Sequence, residues 1–489
     1  MFDRVEVHEG YTLSDYAHRA YLGPAVRGLE ATARALAPRL RGRKVWMLSS
    51  TAHGGGVAEM LPRIVSLLRQ SGLEVEWLVI RARDPRFFPF TKRLHNMIHG
   101  AGPADLPAEE RAVYASESAA IAEALVPVIA PRDMVMIHDP QPLAVGALLK
   151  ARLGVQALWR CHIGRDGENE VSRAAWEFLR PWVSAYDRAI FSLPEYVPAA
   201  LESCAGIVHP AIDPLSHKNR DLRIPKLTGI LMDAALAGSS RPGVAPAFSC
   251  AALRLQEGGS YAPAIQPADF GLLFRPVILQ VSRWDRLKGF LPLLRGFERL
   301  KTQAPTEPRQ TRHQRMVELS GLMLAGPDPE GVSDDPEAQA VLSEIAEAWQ
   351  GLPKAVRDDV AVIKLPMGST KENALMVNAL QRCAAVVVQN SLEEGFGLTA
   401  TEAMWKLLPV VATHASGLRA QIRDGIEGRL VANAEDPQAI ADALDWMLGH
   451  EKASEELGAN AHNRVFERFL VFEQVRRYLE ELAALAEAE

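Results

Sequence analysis

Two series of short apolar runs, rich in Val, Ile and Leu and separated by helix-length segments, dominate this chain of 489 residues. Such runs are typical of buried parallel strands, so the alternation predicts an α/β fold. One core rarely serves so long a chain, so we expect two doubly wound, Rossmann-like domains. The first series comprises Val45–Ser49, Val75–Ile80, Met134–His138, Ala157–His162, Ala189–Leu193 and Gly206–His209. The second comprises Val277–Arg283, Gly321–Ala325, Val360–Leu365, Ala384–Gln389 and Pro409–Thr413.

The predicted divisions are a first domain over 1–215, a linker and insert over 216–275, a second domain over 276–465 and a C-terminal helix over 466–489. The stretch from 222 to 274 is rich in Ala, Gly, Ser and Pro and lacks periodicity, which is typical of irregular structure. We leave open whether the last helix crosses back to the first domain. Strand ends of both domains are expected to border a shared cleft.

Composition excludes several classes of protein. The net charge of −6 argues against a nucleic-acid partner. No apolar run approaches the roughly 18 residues of a membrane span, and the start of the chain lacks a signal-peptide core. The four cysteines contain no CxxC pair, so no metal site is predicted. We expect a cytoplasmic enzyme without a membrane partner and leave a homodimer open.

The segment from Glu394 to Glu402 follows the predicted strand Ala384–Gln389 and contains a Gly-Phe-Gly loop. A helix is expected to begin near Thr399, and its free amides would bind an anion. The two carboxylates could accept hydrogen bonds from a hydroxyl-rich ligand while the amides hold a diphosphate. Two solvated surface acids are the alternative, which the position after a strand disfavours.

Arg283 ends the first strand of the second domain, and Lys288 follows at the next expected helix start. Together they could neutralise one phosphate, as a departing diphosphate requires. A surface pair with Asp285 is the alternative.

A glycine triplet, Gly54-Gly55-Gly56, lies between a predicted strand and an amphipathic helix. It allows a ligand to approach the backbone closely, although a plain tight turn is an equal alternative. The triplet matches neither a P-loop nor GxGxxG, which argues against a NAD-dependent oxidoreductase.

Two predicted strands of the first domain end in histidine, at His138 and His162, and Asp139 follows the first of them. Strand ends are the ligand side of an open α/β sheet. A single histidine is usually structural, but two at equivalent positions make a catalytic role an equal alternative.

In this order, Gly54-Gly55-Gly56, Arg283-x4-Lys288 and Glu394-x7-Glu402 resemble the retaining glycosyltransferases of family 4, which have the GT-B fold. A narrower resemblance, to the glycosyltransferring trehalose synthases, covers nearly the whole chain outside 222–274. It rests on Gly54–Leu61, Thr91–Asn96, His138–Pro142, Trp159–Ile163, Ile212–Ser216 and Val377–Arg382.

The resemblance implies a role for each matching residue. The implied donor-site residues are Glu394, Phe396 and Gly397 for glucose, Leu398, Thr399, Arg283 and Lys288 for the diphosphate, Glu402 for ribose, and Gly55 and Gly56 for closure over the diphosphate. His162 would lie beside the donor sugar, and His138, Asp139, Gln141, Lys92 and Asn96 would lie toward the acceptor. The implied catalytic residues are His162, Glu394, Arg283, Lys288 and Asp139.

The resemblance further implies that glucose passes from ADP- or UDP-glucose to glucose, giving trehalose with retention of configuration and without a metal or other cofactor. The partners would be a nucleotide sugar and a small sugar acceptor. A family 4 transferase with another acceptor, and a trehalose-phosphorylase-like enzyme that uses glucose 1-phosphate, are the enzymatic alternatives. A non-catalytic nucleotide-sugar sensor is the alternative of another class, and the histidine-ended strands argue against it.

The sequence departs from the family pattern at two places. Ser416-Gly417 stands where the family usually has a Gly-Gly pair, and Gly164 stands where some relatives carry Asp. The segment Gly164–Glu170 therefore leaves the acceptor open.

Overall fold

The computed structural model describes residues 1–8, 10–52, 56–238, 247–303, 309–331 and 336–487. The chain divides into two compact units. The first is Met1–Asp213 with Glu467–Glu489, and the second is Pro214–Phe466.

The elements up to the unit boundary are β1 (Phe2–Val5), α1 (Leu13–Ala17), α2 (Gly23–Leu36), β2 (Lys44–Ser49), α3 (Gly56–Gln70), β3 (Glu74–Ile80), α4 (Phe87–Ile98), α5 (Ala108–Leu125), β4 (Met134–His138), α6 (Leu143–Leu153), β5 (Gln156–Arg160), α7 (Glu170–Val183), β6 (Arg188–Phe191) and β7 (Ala205–Ile207). The elements beyond it are α8 (Ile224–Asp233), β8 (Leu253–Leu255), β9 (Tyr261–Pro263), β10 (Val277–Val281), α9 (Phe290–Thr302), α10 (Thr311–Leu319), β11 (Gly321–Pro327), α11 (Pro336–Gln350), α12 (Lys354–Arg357), β12 (Val360–Leu365), α13 (Thr370–Cys383), β13 (Ala384–Gln389), α14 (Leu398–Trp405), β14 (Val410–Thr413), α15 (Ser416–Gln421), β15 (Arg429–Val431), α16 (Pro437–Gly449), α17 (Glu451–Arg468) and α18 (Val471–Ala486).

The sheet of the first unit has the strand order β1-β3-β2-β4-β5-β6-β7 among the described residues. All pairs are parallel except β1 with β3. β4 is buried along its whole length, which explains the apolar run that precedes its final residue, His138. The apolar pattern does not predict β1, because two of its four residues are exposed and charged.

The sheet of the second unit has the order β15-β14-β13-β10-β11-β12-β8-β9 among the described residues. The antiparallel hairpin β8–β9 extends it beyond β12. The expectation of irregular structure over 222–274 is therefore wrong for α8, β8 and β9. The sequence does not predict β8 and β9 because each has only three residues and is not apolar throughout.

Each unit has its own apolar core. In the second unit Trp284, Phe290 and Phe297 lie in a buried cluster, with the rings of Trp284 and Phe290 4.9 Å apart. The helix α18 belongs to the first unit, where buried residues from Val471 to Leu485 recur at helical spacing. No helix in the described part of the chain is both long and apolar enough to cross a bilayer.

Two helical glycines have different surroundings, so we expect the same substitution to alanine to have opposite effects on stability. A Cβ at Gly296 on α9 would lie 2.6 Å from Ile440 Cγ2, whereas one at Gly28 on α2 meets no described atom within 4 Å. We expect Gly296→Ala to lower the free energy of unfolding by about 1–3 kcal/mol through overpacking. Gly28→Ala should raise it by roughly 0.5–1 kcal/mol. Urea denaturation tests both, and equal stabilisation would contradict the close packing of α9 against α16.

Candidate active site

The second unit brings a lysine and a glutamate together at the carboxyl end of its sheet. Lys288 follows β10 and Glu394 follows β13, and these strands are parallel neighbours. Lys288 Nζ lies 2.7 Å from Glu394 Oε2, and each side chain is 13% exposed. Ser391 Oγ donates a further hydrogen bond of 2.9 Å to the same oxygen. Sequence reasoning singled out Lys288 and Glu394 but missed Ser391.

A glycine turn leads from Glu394 into α14. Gly397, the residue before the helix, has a φ of +86°, which glycine adopts without strain. No described side chain caps this helix end. The amides of Leu398 and Thr399 begin the helix there, and such amides attract anions.

The loop after Glu394 is held from behind by α15. Gly417 N donates to Glu394 O at 3.1 Å, and a Cβ at Gly417 would lie 2.4 Å from Phe396 Cα. The glycine of the Ser416-Gly417 pair is thus the one that packing requires. Gln421, fully buried, donates through Nε2 to the carbonyl oxygens of Phe396 and Gly397. Sequence reasoning missed this anchor.

Arg283 has a different environment from Lys288. Its side chain is 66% exposed, and its guanidinium lies 3.6 Å from the carboxylate of Asp285. The surface pairing that we weighed as an alternative for Arg283 is therefore present, and the structure brings Lys288 rather than Arg283 to Glu394.

Glu402 lies within α14 and is 7% exposed, so it is no solvated surface acid. Its backbone oxygen accepts a 3.0 Å hydrogen bond from the buried ammonium of Lys406, which also donates to Gln381 Oε1 at 2.7 Å. Burial lowers the pKa of Lys406 to about 7, and the carboxylate of Glu402 opposes that shift. Sequence reasoning missed Lys406, which lies four residues after Glu402 and therefore one helical turn away.

In the first unit the two predicted histidines meet. β4 and β5 are parallel neighbours, and His138 and His162 lie at and just beyond their carboxyl ends. His138 Nδ1 and His162 Nε2 are 3.0 Å apart, and the rings stack with centroids separated by 5.3 Å. The other ring nitrogens, His138 Nε2 and His162 Nδ1, are buried without a hydrogen-bond partner among the described residues. Such atoms could bind a hydroxyl group.

Both imidazoles are held in the neutral form. Burial lowers the pKa of His138 to about 3, and the Arg160 guanidinium contributes. Burial, then Arg160, then His138 hold the pKa of His162 well below its usual range. Two neutral rings can share one hydrogen, with one nitrogen donating and the other accepting.

Asp139 is fixed beside this pair. Its φ of 64° lies in the left-handed region, which Asp tolerates better than most residues. Asp139 Oδ1 accepts a 2.9 Å hydrogen bond from His162 N, and its own N–H donates to Arg160 O at 2.9 Å. Burial raises the pKa of Asp139 to about 6, while the amide of His162 opposes that shift.

Arg160 is a buried residue that sequence reasoning missed. It is 0% exposed, and its guanidinium donates to Val208 O at 2.8 Å and Tyr478 Oη at 3.1 Å. An arginine directly after the apolar residues Ala157–Trp159 of β5 is the signal that the sequence offers.

The remaining acceptor-side candidates are less closely defined. Gln141 follows the Asp139 turn, and its Oε1 is buried without a partner among the described residues. Lys92 and Asn96 are exposed one turn apart on α4. The end of α4 contacts the loop after His162, because His99 Nδ1 lies 3.0 Å from Gly164 O.

The glycine triplet is only partly described. Gly55 lies outside the described residues. Gly56 begins α3, and a Cβ there would meet no described atom within 4 Å. Packing within the described part of the first unit therefore does not explain the glycine at position 56.

Gly164 differs, because a Cβ there would lie 2.4 Å from Tyr196 Cβ. Tyr196 thus fills the space that an Asp side chain would need at this position.

Among the described residues, no group of three or more His, Cys, Asp or Glu side chains is placed to hold a metal ion. The expectation that no metal is required stays a prediction.

Two protein families match this chain. Residues 47–198 match the family described as trehalose synthase, N-terminal domain, and residues 367–464 match the family described as glycosyl transferases group 1. The first match contains the histidine pair, and the second contains Glu394 and α14.

Two relatives show how far the likeness extends. The trehalose synthase of Pyrococcus horikoshii is 35% identical over 454 residues, which are 92% of this chain and 92% of that protein. The trehalose phosphorylase of Pleurotus sajor-caju is 27% identical over 84% of this chain and 54% of the phosphorylase.

A solved structure establishes the fold. The UDP-forming α,α-trehalose-phosphate synthase of Burkholderia xenovorans superimposes with a TM-score of 0.66, covering 91% of this chain and 99% of that chain at 16% identity. The predicted GT-B fold is confirmed.

The neutral histidine pair predicts how stability depends on pH. Below pH about 6.5 an unfolded His138 takes up a proton that the folded side chain, with its pKa of about 3, does not. His138 therefore removes up to about 1.4 kcal/mol of stability per pH unit as the pH falls from 6.5 toward 3. His138→Gln should lose stability less steeply in that window.

The measurement is the free energy of unfolding of both proteins at several pH values. Asp139, whose raised pKa acts in the opposite sense, and His162 are common to both, so their contributions largely cancel in the difference. Parallel curves would show that His138 is not buried in the neutral form.

Proposed function

Because the chain belongs to the trehalose synthase family, we propose that it transfers glucose from a nucleoside diphosphate glucose to free glucose, forming trehalose with retention of configuration. The family and the GT-B fold make the chain a hexosyltransferase-type enzyme of trehalose metabolism. The observation that best supports a nucleoside diphosphate glucose as donor is the Lys288–Glu394 ion pair beside the start of α14, which no described side chain caps. It supplies a cation, a carboxylate and free amides at one edge of the sheet.

On the donor side, a diphosphate and a sugar need different partners. The amides of Leu398 and Thr399 and the ammonium of Lys288 would hold the diphosphate, with Arg283 as a more exposed contributor. Their positive charge would stabilise the negative charge that develops as the bond from the sugar to phosphate breaks. The carboxylate of Glu394 would accept hydrogen bonds from the glucose hydroxyls, and the amides of Phe396 and Gly397 would donate hydrogen bonds to them. Glu402 would bind the ribose.

In the first unit, we assign His162 to the donor sugar near the reacting carbon. His138, Asp139, Gln141, Lys92 and Asn96 are assigned to the acceptor glucose. His138 Nε2 and Gln141 Oε1 have no partner among the described residues and support this assignment, because a sugar hydroxyl would satisfy each of them. Gly55 and Gly56 would approach the diphosphate.

The reaction needs no covalent intermediate. The acceptor hydroxyl would attack the anomeric carbon on the face from which the diphosphate leaves, and the leaving phosphate oxygen would take the hydroxyl proton. Glu394 is bound by an ammonium and a hydroxyl, which lowers its nucleophilicity and supports a binding role. We propose that Lys288, Arg283 and the amides neutralise the diphosphate without a metal or other cofactor.

A second candidate is a trehalose-phosphorylase-like reaction, which the match to the Pleurotus enzyme favours. An anion site that accepts a diphosphate could also accept inorganic phosphate. Incubation with glucose and either nucleotide sugars or glucose 1-phosphate separates the two reactions, and NMR identifies the product. α,α-Trehalose from a nucleotide sugar alone supports the first proposal, and its formation from glucose 1-phosphate alone supports the second.

Two neighbouring glutamates provide a matched test of the donor site. Glu394→Ala removes the carboxylate that pairs with Lys288, so we expect transfer to fall by at least about 100-fold while the fold is retained. Glu393→Ala truncates an exposed side chain and should leave turnover within about threefold, because substitutions of exposed side chains usually have small effects. Turnover is measured by release of the nucleoside diphosphate and folding by circular dichroism. Normal turnover in Glu394→Ala would refute the proposed role.

A further inference from the structure

Two buried side-chain amides join the loops that carry Lys288 and Glu394. Gln280 lies on β10 and is 0% exposed, and Asn390 follows β13 and is 2% exposed. Gln280 interrupts the apolar run of β10, and Asn390 stands between Gln389 and Ser391.

The first connection runs from Gln280. Its Nε2 donates to Lys288 O at 2.7 Å, and its Oε1 accepts from Asn390 N at 3.0 Å. One amide thereby bonds the backbones of both loops.

The second connection runs from Asn390. Its Nδ2 donates to Gly289 O at 3.0 Å and to Ala434 O at 2.9 Å. A backbone hydrogen bond of 2.7 Å from Leu392 N to Leu287 O adds a third link.

Gly289 shows how closely the two loops approach. It has a φ of 60°, and a Cβ there would lie 2.1 Å from Asn390 O. The loops therefore touch backbone to backbone, directly beside the residue that carries the ammonium.

Burying an amide costs free energy unless its donors and acceptor are satisfied. Gln280 is paired with backbone atoms of both loops, and Asn390 donates to Gly289 O of the first loop and to Ala434 O beyond β15. The pairing fixes the backbone of Lys288 relative to that of Ser391 and Glu394.

We propose that Gln280 and Asn390 are positioning residues of the donor site, which set the separation between the Lys288 ammonium and the Glu394 carboxylate. The inference rests on the proposed donor role of that ion pair. Both amides are buried, so we assign them no direct contact with the substrate and expect them to act through the loops they join.

The test uses near-isosteric apolar substitutions in the full chain. Asn390→Leu removes the two donors to Gly289 O and Ala434 O. Its matched control is Asn378→Leu on α13, because Asn378 is likewise buried, at 0% exposure. It donates to two backbone oxygens, those of His217 and Arg220, at 2.9 Å each. Both variants should lose thermal stability, so stability alone does not separate the hypotheses.

The separating measurement is steady-state kinetics at a temperature where all variants are folded. In Asn390→Leu we expect kcat/KM for the nucleotide sugar to fall about 10-fold or more, because small displacements of positioning groups are costly. The KM for the acceptor should stay within about twofold of the wild type, and Asn378→Leu should retain kcat/KM within about threefold by the same reasoning. Equal kcat/KM values in the two variants would overturn the proposal.

Gln280→Met repeats the test by removing both the donor to Lys288 O and the oxygen that accepts from Asn390 N. It decides the question if Asn390→Leu does not fold. A fall in kcat/KM for the nucleotide sugar supports positioning, and an unchanged value contradicts it. Failure of the donor role itself would appear separately, as normal turnover in Glu394→Ala.

Discussion

The ion pair between Lys288 and Glu394 joins two residues that are 106 positions apart in the sequence, with 2.7 Å between Nζ and Oε2. Its geometry depends on the parallel pairing of β10 with β13, which brings two loops to the same sheet edge. Gly397 and Gly417 then allow the second loop to turn into α14 without a clash. The donor site that we propose is therefore a product of sheet register and of glycine at two positions.

The first unit uses the same principle with different chemistry. Adjacent parallel strands bring His138 and His162 within hydrogen-bond distance, and burial near the Arg160 guanidinium holds both rings neutral. A neutral imidazole can donate to a hydroxyl or accept from it, which suits sugar recognition better than a fixed charge. The second unit instead places a lysine–glutamate ion pair beside the start of α14, where we propose that a diphosphate binds.

Much of the fold and part of the site follow from the sequence. Fully buried strands such as β4 have continuous apolar runs, and strand-end residues such as His138 can be located once parallel pairing is assumed. The sequence does not predict the short edge strands β1 and β9, because none of their residues is fully buried. Gln280 is visible in the sequence as a polar residue within the apolar run of β10, whereas Asn390 stands among the polar residues that follow β13. The partners of both amides depend on tertiary contacts that spacing does not reveal.

The most direct measurement of the central claim is a crystal structure of the protein with a bound nucleoside diphosphate glucose. The account predicts the diphosphate within hydrogen-bond distance of Lys288 Nζ and of the amides of Leu398 and Thr399, with a glucose hydroxyl on Glu394. A nucleotide sugar bound elsewhere, with no contact to Lys288 or to the start of α14, would contradict it.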